Sequence, residues 1–359
     1  MQYFKTSFKT LQAIAMQCGF DGLAGYLVLA RHTTGRQVLH YPPHLLSGAG
    51  INGIHEKLGC SELRAKSILD SLIAKEFVVP APSDANAAAP RSAKWMLPHK
   101  YPLDTDLPHD LVDEPTFAQH AKVNSPLKRL KKLHALPNQT KSQANLDGAM
   151  LLMGIYSKTK MQAFGGLPSD STVYREWKVL SKKAYNDKLY EWKAAPETQR
   201  AYIDFAKECL PHISGDESEV MPHFWNALKN LTAHTRLVYE AVTLFHPTDK
   251  SILACLRVND FHAGSNTHAQ NFGISGDSSL FKSLEAFHNT SLAFYDLEAG
   301  EDMRIVLPFG EGKIQGIYRP RFRTSNQDTG LWVEEENLRV ADAFKKISES
   351  AGSGDDDDF

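Results

Sequence analysis

Three stretches hold residue types that perform chemistry in other proteins. Asp104-Thr105-Asp106 places two carboxylates at a spacing that two-metal sites use, but within a proline-rich stretch. His262 and His268 bracket "HAGSNTH" and could ligate a metal, although a polar loop with ordinary histidines is the plainer reading. "GEGKIQG", Gly310 to Gly316, has the Gly-Lys of a phosphate-binding loop. Ile314 stands where a hydroxyl would hold Mg²⁺, and the glycine spacing fails. No His-x-His, Gly-x-Ser-x-Gly or His-Glu-x-x-His occurs. Cys18, Cys60, Cys209 and Cys255 are scattered, as reduced thiols are, with no Cys-x-x-Cys. The expectation is a binding protein and not an enzyme, with no catalytic residue, no cofactor and no metal. A hidden metal-dependent nuclease is the enzymatic alternative.

A different chemistry, that of recognition, ends the chain. "SAGSG" reads as a flexible linker, and Asp355, Asp356, Asp357, Asp358 and Phe359 follow it. A partner could bury the terminal ring and grip the α-carboxylate with an arginine, while a basic rim draws in the aspartates. Burying the ring is worth roughly 1.5–3 kcal/mol. A solubilising tail is the bland alternative, and a tail that covers the protein's own basic surface is a third.

The chain of 359 residues is 42% hydrophobic and 10% aromatic, enough to bury cores in two or three domains. Net charge is −2, and without the tail aspartates the remainder is mildly basic. No apolar run approaches the roughly 20 residues of a membrane span. The amphipathic start "MQYFKTSFKTLQAIAMQCG" is no signal peptide, so a cytoplasmic protein without membrane contact is expected.

In residues 1–100, Ile51, Ile54, His55 and Leu58 share a helical face, Gly59 breaks the helix, and Ser61 caps the next. That helix is expected to turn Leu63, Ile68, Leu69, Leu72 and Ile73 to a core. Phe77-Val78-Val79 reads as a strand, a polar Pro/Ala loop follows, and "KWML" returns. Upstream, "GYLVLARHTTG" reads as a helix with Tyr26, Leu27, Leu29 and Ala30 in the core and His32 at the surface. This order resembles a winged helix-turn-helix. The resemblance implies that the second helix enters the DNA major groove, presenting Ser61, Glu62, Arg64, Ala65 and Lys66, with Arg64 and Lys66 reaching phosphates or base edges and Arg91 and Lys94 touching backbone from the wing. Winged helices also dock proteins, and two cations on such a helix are few.

Residues 101–140 read as a linker holding a basic amphipathic segment. Ser125 caps it, Leu127, Leu130 and Leu133 recur, and Lys128, Arg129, Lys131 and Lys132 could track phosphates or form a solvated face. Residues 141–270 read as a second winged-helix-like domain. It has an apolar helix over 146–166 and a Lys/Tyr/Trp-rich helical insertion running from Ser171 to Leu210. A helix with Phe224, Leu228 and Leu231 on one face follows, then strands over 237–245 and 251–260. Residues 271–347 read as a small β-rich region with a final helix at "NLRVADAFKKI", and 348–359 as a flexible acidic tail. In "YRPRFR", Arg319, Arg321 and Arg323 alternate with Tyr318 and Phe322, as a nucleic-acid groove or a solubilised edge strand would have it. The expected fold is thus α+β, mainly α, with tandem winged-helix-like domains, a small strand-rich C-terminal part and a disordered acidic tail.

The tail resembles the C-terminal tip of bacterial single-stranded-DNA-binding proteins, which recruits replication and repair enzymes. Asp358 stands where that family has proline. With "INGIHEKLGCSELRAKSILDSLIAKEFV" and "LLMGIYSKTKMQAFGG", the whole is similar to replication proteins of bacterial integrating conjugative elements and pathogenicity islands. That resemblance implies a non-catalytic initiation or accessory factor on double-stranded DNA, with single-stranded DNA as a further ligand and a host replication or repair protein on the tail. A homodimer stays open. A transcriptional regulator and a protein-protein adaptor are the alternatives.

Overall fold

The computed structural model describes residues 3–34, 45–81, 94–98, 100–113, 124–159, 166–184, 190–245, 252–257, 303–307 and 310–320. Among these residues the chain is mixed α and β, with seven α-helices and three sheets, and it divides into two compact units.

Unit 1 is built on helix α1 (Phe8–Arg31), apolar on nearly all sides and bent at Gly19. Asp104 Oδ1 accepts the Phe8 N–H at 2.9 Å and so satisfies an orphan donor at the helix start. Its neighbour Asp106 pairs with Lys5 at 3.9 Å, so both carboxylates of the Asp-Thr-Asp stretch serve the fold. Strand β1 (Tyr3–Thr6) leads into α1 and pairs antiparallel with β6 (Thr105–Pro108). By length and composition α1 could cross a membrane (mean hydropathy 1.4), an apolar run not expected from the sequence. Of that stretch 67% is buried within the protein, against helices α2 (Ile51–Leu58), α3 (Glu62–Ala74) and α5 (Lys141–Lys158). Contact with α3 is close at Gly25, where a Cβ would sit 2.4 Å from Ile68 Cγ2.

After α1 the chain forms β2 (Thr33–Thr34), β3 (Leu45–Ser47), α2, α3, β4 (Val79–Pro80) and β5 (Trp95–Leu97). The strands pair antiparallel in the order β2-β3-β5-β4. In α3 the core face is Ala65, Ile68, Leu69 and Leu72, all buried; Ala65 was expected on the presented side, but it lies three residues before Ile68 and so on the same face. Leu63 was expected on that stripe but is 82% exposed, because two residues before Ala65 lies on the far side of a 3.6-residue turn.

The stretch read as a linker is packed where it is described. Leu107, Leu111 and Val112 are buried, and two of the prolines mark element boundaries. Pro108 ends β6, and Pro126 opens α4 (Pro126–Arg129), a position that needs no N–H. A 3₁₀ turn over Leu130–Lys132 continues α4, and Leu127, Leu130 and Leu133 are buried as their spacing requires. Helices α6 (Ile203–Cys209) and α7 (Glu217–Lys229) complete unit 1, with Phe224, Leu228 and Leu231 in the core.

Unit 2 is an open sheet in the order β10-β9-β12-β7-β8-β11. Here the helical expectation for Ser171 to Leu210 fails. The described residues form two long antiparallel strands, β7 (Val173–Ala184) and β8 (Tyr190–Ala201), and among them only α6 is helical. The period-2 set Val173, Arg175, Trp177, Val179 fits a strand better than a helix. The expected strands β9 (Val238–Phe245) and β10 (Ile252–Arg257) form, as do β11 (Met303–Leu307) and β12 (Lys313–Pro320). All four join one sheet with β7 and β8. On one face the buried Glu240 accepts hydrogen bonds from Arg175 Nε (2.9 Å) and Trp177 Nε1 (3.1 Å). Gly316 leaves room for that carboxylate, since a Cβ there would lie 2.0 Å from Glu240 Oε1. On this face too, burial raises the pKa of the Tyr318 phenol, which Gln199 contacts.

Candidate nucleic-acid interface

The turn between α2 and α3 is assembled from local chemistry. Gly59 ends α2 in the left-handed conformation, φ 58° and ψ 43°, which favours glycine. Ser61 caps α3 by accepting the Arg64 N–H at 3.3 Å. The exposed side of α3 then presents Ser61, Glu62, Leu63, Arg64, Lys66, Ser67 and Asp70, with its cations and acids in balance.

Arg64 is not an unpaired cation. Its Nε and Nη2 donate to Asp21 Oδ2 of α1 at 3.0 and 2.6 Å, while its side chain stays 61% exposed. Lys66 is exposed, and Lys94 is exposed where the chain enters β5. The Lys94 backbone ties the sheet together, donating to Ser47 O and accepting from Ala81 N–H.

The basic connector comes to this same turn. Lys131 Nζ donates to Leu58 O and so caps the C-terminal end of α2. Burial lowers its pKa, against the opposing pull of Cys60 and Asp21. Lys128 Cε passes 4.0 Å from where a Gly59 Cβ would be. Lys132 is exposed. Arg129 points elsewhere, donating to Asn124 O (3.2 Å) and Thr235 O (2.9 Å), and is therefore a structural tie. Of the residues singled out in the sequence, Ser61, Arg64, Lys66, Lys128 and Lys131 gather around the α2–α3 turn. Arg319 does not face solvent: it is 4% exposed on the opposite face of the unit 2 sheet from Glu240, its guanidinium 5.7 Å from the Tyr239 ring. Arg91, Arg321, Arg323, His262, His268 and the tail from Asp355 to Phe359 lie outside the described residues.

Two clusters escaped the sequence reading. Asp147, 2% exposed within α5, accepts from Gln139 Nε2 (2.5 Å), His212 Nε2 (2.6 Å) and His223 Nδ1 (2.8 Å). His134 and His234 stack with ring centroids 4.1 Å apart. An acid inside an apolar helix was the available signal for the first, because buried carboxylates need partners. The partners themselves lie up to 76 residues away, beyond any local pattern. No group of three or more His, Cys, Asp or Glu among the described residues is arranged to hold a metal. Against this geometry, no family model, no curated protein and no solved structure matches the chain.

Proposed function

We propose that this chain is a non-enzymatic DNA-binding factor, an initiation or accessory protein of a mobile element's replication. It would bind duplex DNA through α3 and recruit a host replication protein through Asp355 to Phe359. One observation carries the reading. The order α1, β3, α2, α3, β4, β5, with β5 between β3 and β4, resembles the connectivity of a winged helix and supports that reading. In that fold α3 is the groove-entering helix. The cations at its start, Arg64 and Lys66 with Lys128 beside the turn, suit phosphate contacts.

The test is fluorescence anisotropy on labelled duplex across a salt series. Arg64→Ala with Lys66→Ala is expected to make the slope of log K against log salt shallower by about 2. Asp21→Asn, which releases Arg64 from its ion pair, is expected to tighten binding severalfold. A wild-type slope in the double variant together with wild-type affinity in Asp21→Asn would overturn the placement of the interface on α3. A second reading is favoured by Leu63, 82% exposed on the first turn of α3. A large apolar side chain there suits a protein groove better than phosphates. Absence of any salt-dependent DNA binding would select that adaptor reading.

A further inference from the structure

The hairpin β7–β8 is not uniform along its length. Near the sheet centre β7 pairs with β12 at Tyr174, Arg175 and Glu176, and Val173 and Trp177 are buried. Beyond Trp177 every β7 residue is exposed except the half-buried Ser181. Charge divides the same way. Residues 173–177 and 196–201 hold Arg175, Arg200, Glu176 and Glu197, and Arg200 pairs with Glu176 at 3.0 Å. Residues 178–193 hold five lysines and two acids.

The register then decides where those lysines sit. Lys178 and Lys183 are separated by an odd number of residues, so regular alternation would send them to opposite faces. The pairing Val179↔Ala194 is followed by Ser181↔Lys193, which leaves Leu180 as an extra residue on β7. That bulge resets the alternation. Lys178 (opposite Ala195), Lys183 (opposite Glu191) and Lys193 (opposite Ser181) therefore share one face. Trp177, Trp192, Ala194 and Lys182 share the other, where Lys182 Nζ lies 5.5 Å from the Trp192 ring centroid. The outcome is a two-sided arm over roughly 16 Å of strand: one face holds the buried Trp192 and Ala194 beside exposed Val179 and Lys182, and the other holds Lys178, Lys183 and Lys193.

We infer that this cationic face, centred on the exposed Lys178 and Lys183 with the half-buried Lys193 beside them, is a second contact surface for the phosphodiester backbone of nucleic acid, separate from α3. Charge complementarity selects the occupant. A row of lysines with one acid in register is matched by a polyanion of regular spacing. The inference rests on the reading that the chain binds nucleic acid, and it adds a second, sequence-independent grip to that reading.

The experiment uses the full chain and anisotropy on duplex and on single-stranded DNA across a salt series. The variants are Lys178→Gln, Lys183→Gln, Lys193→Gln together, the corresponding triple change to Arg, and Arg64→Ala with Lys66→Ala. Expected for the Gln triple is a slope shallower by about 2 to 3 on duplex, or about 2 on a single strand, with binding weakened about tenfold or more at 0.1 M salt. The Arg triple should keep the wild-type slope, and unchanged circular dichroism would show that both triples fold. The DNA form with the larger loss identifies the backbone the arm holds. A Gln triple with the wild-type slope on both DNA forms, beside a weakened α3 variant, overturns the arm and leaves the α3 reading standing. The reverse pattern supports the arm and removes α3. Wild-type chain that binds neither DNA form overturns both.

Discussion

Asp147→Asn is expected to cost unit 1 about 3 kcal/mol. The carboxylate is 2% exposed and accepts three hydrogen bonds, from Gln139, His212 and His223. Asparagine keeps the shape but offers one acceptor oxygen, and its amide presents N–H to groups that are themselves donors. His212 and Gln139 are largely shut off from water, while the His223 side chain is 27% exposed and can recover a water partner. Each buried donor left unsatisfied costs about 1–3 kcal/mol, so one to two such losses set the figure. Urea unfolding followed by far-UV circular dichroism is the assay, since every described α-helix belongs to unit 1. The midpoint should fall with the slope unchanged. A buried ion can also cost as much to desolvate as its contacts return. Were that so here, the variant would match or exceed wild-type stability, and that result would refute the assignment of this cluster as a stabilising lock.

Two further perturbations follow from the packing. Gly25→Ala places a methyl 2.4 Å from Ile68 Cγ2, so α1 and α3 must separate; a loss of about 1–3 kcal/mol in melting is expected, with weaker duplex binding if α3 is the reading helix. Asp113 joins Arg31 of α1 to Lys57 of α2, both at 2.5 Å. Burial pushes its pKa up, but the hydrogen bonds from Lys57 and Arg31 outweigh it, and the net pKa is lowered. The unfolded chain therefore takes up the proton first. Stability from this carboxylate is complete above about pH 4 and is lost as pH falls through the lower folded value. Asp113→Asn should remove about 1–2 kcal/mol at pH 7 and flatten that acid limb, which a pH series of urea midpoints measures.

The parts of the fold that could be read from the sequence are those whose cause is local. The Gly59 stop, the Ser61 cap and the leucine spacing of the connector each act within a turn or two of helix, and each forms as expected. The hairpin β7–β8 was misread because its many lysines, with Trp and Tyr among them, suit an amphipathic helix as well as a strand. Its alternation Val173, Arg175, Trp177, Val179 was the evidence to weigh. The bulge at Leu180 has no comparable sequence mark, because it depends on how β7 meets β8 and not on Leu180 itself.

The candidate interface shows the same division more sharply. Arg64 and Lys66 could be picked out by type and position, but their electrostatic state could not. Asp21 is 43 residues before Arg64, and only the packing of α1 on α3 brings its carboxylate to the guanidinium. Lys131 looked like a surface cation and instead serves the α2 C-terminus, while Arg129 holds the connector to Thr235 O. Cations taken up by the fold cannot also release counterions from DNA, so a count of lysines and arginines overstates the phosphate contacts a protein can make. By that argument the sequence near α3 offers six cations, Arg64, Lys66, Lys128, Arg129, Lys131 and Lys132, and the fold engages at least three of them, Arg64 with Asp21, Arg129 with Thr235 O and Lys131 with Leu58 O. A duplex held by this face alone should therefore show a salt slope below the roughly 5.4 that six phosphate contacts would give. A slope of about 5.4 or more requires cations from elsewhere in the chain, such as the lysine face proposed on β7–β8.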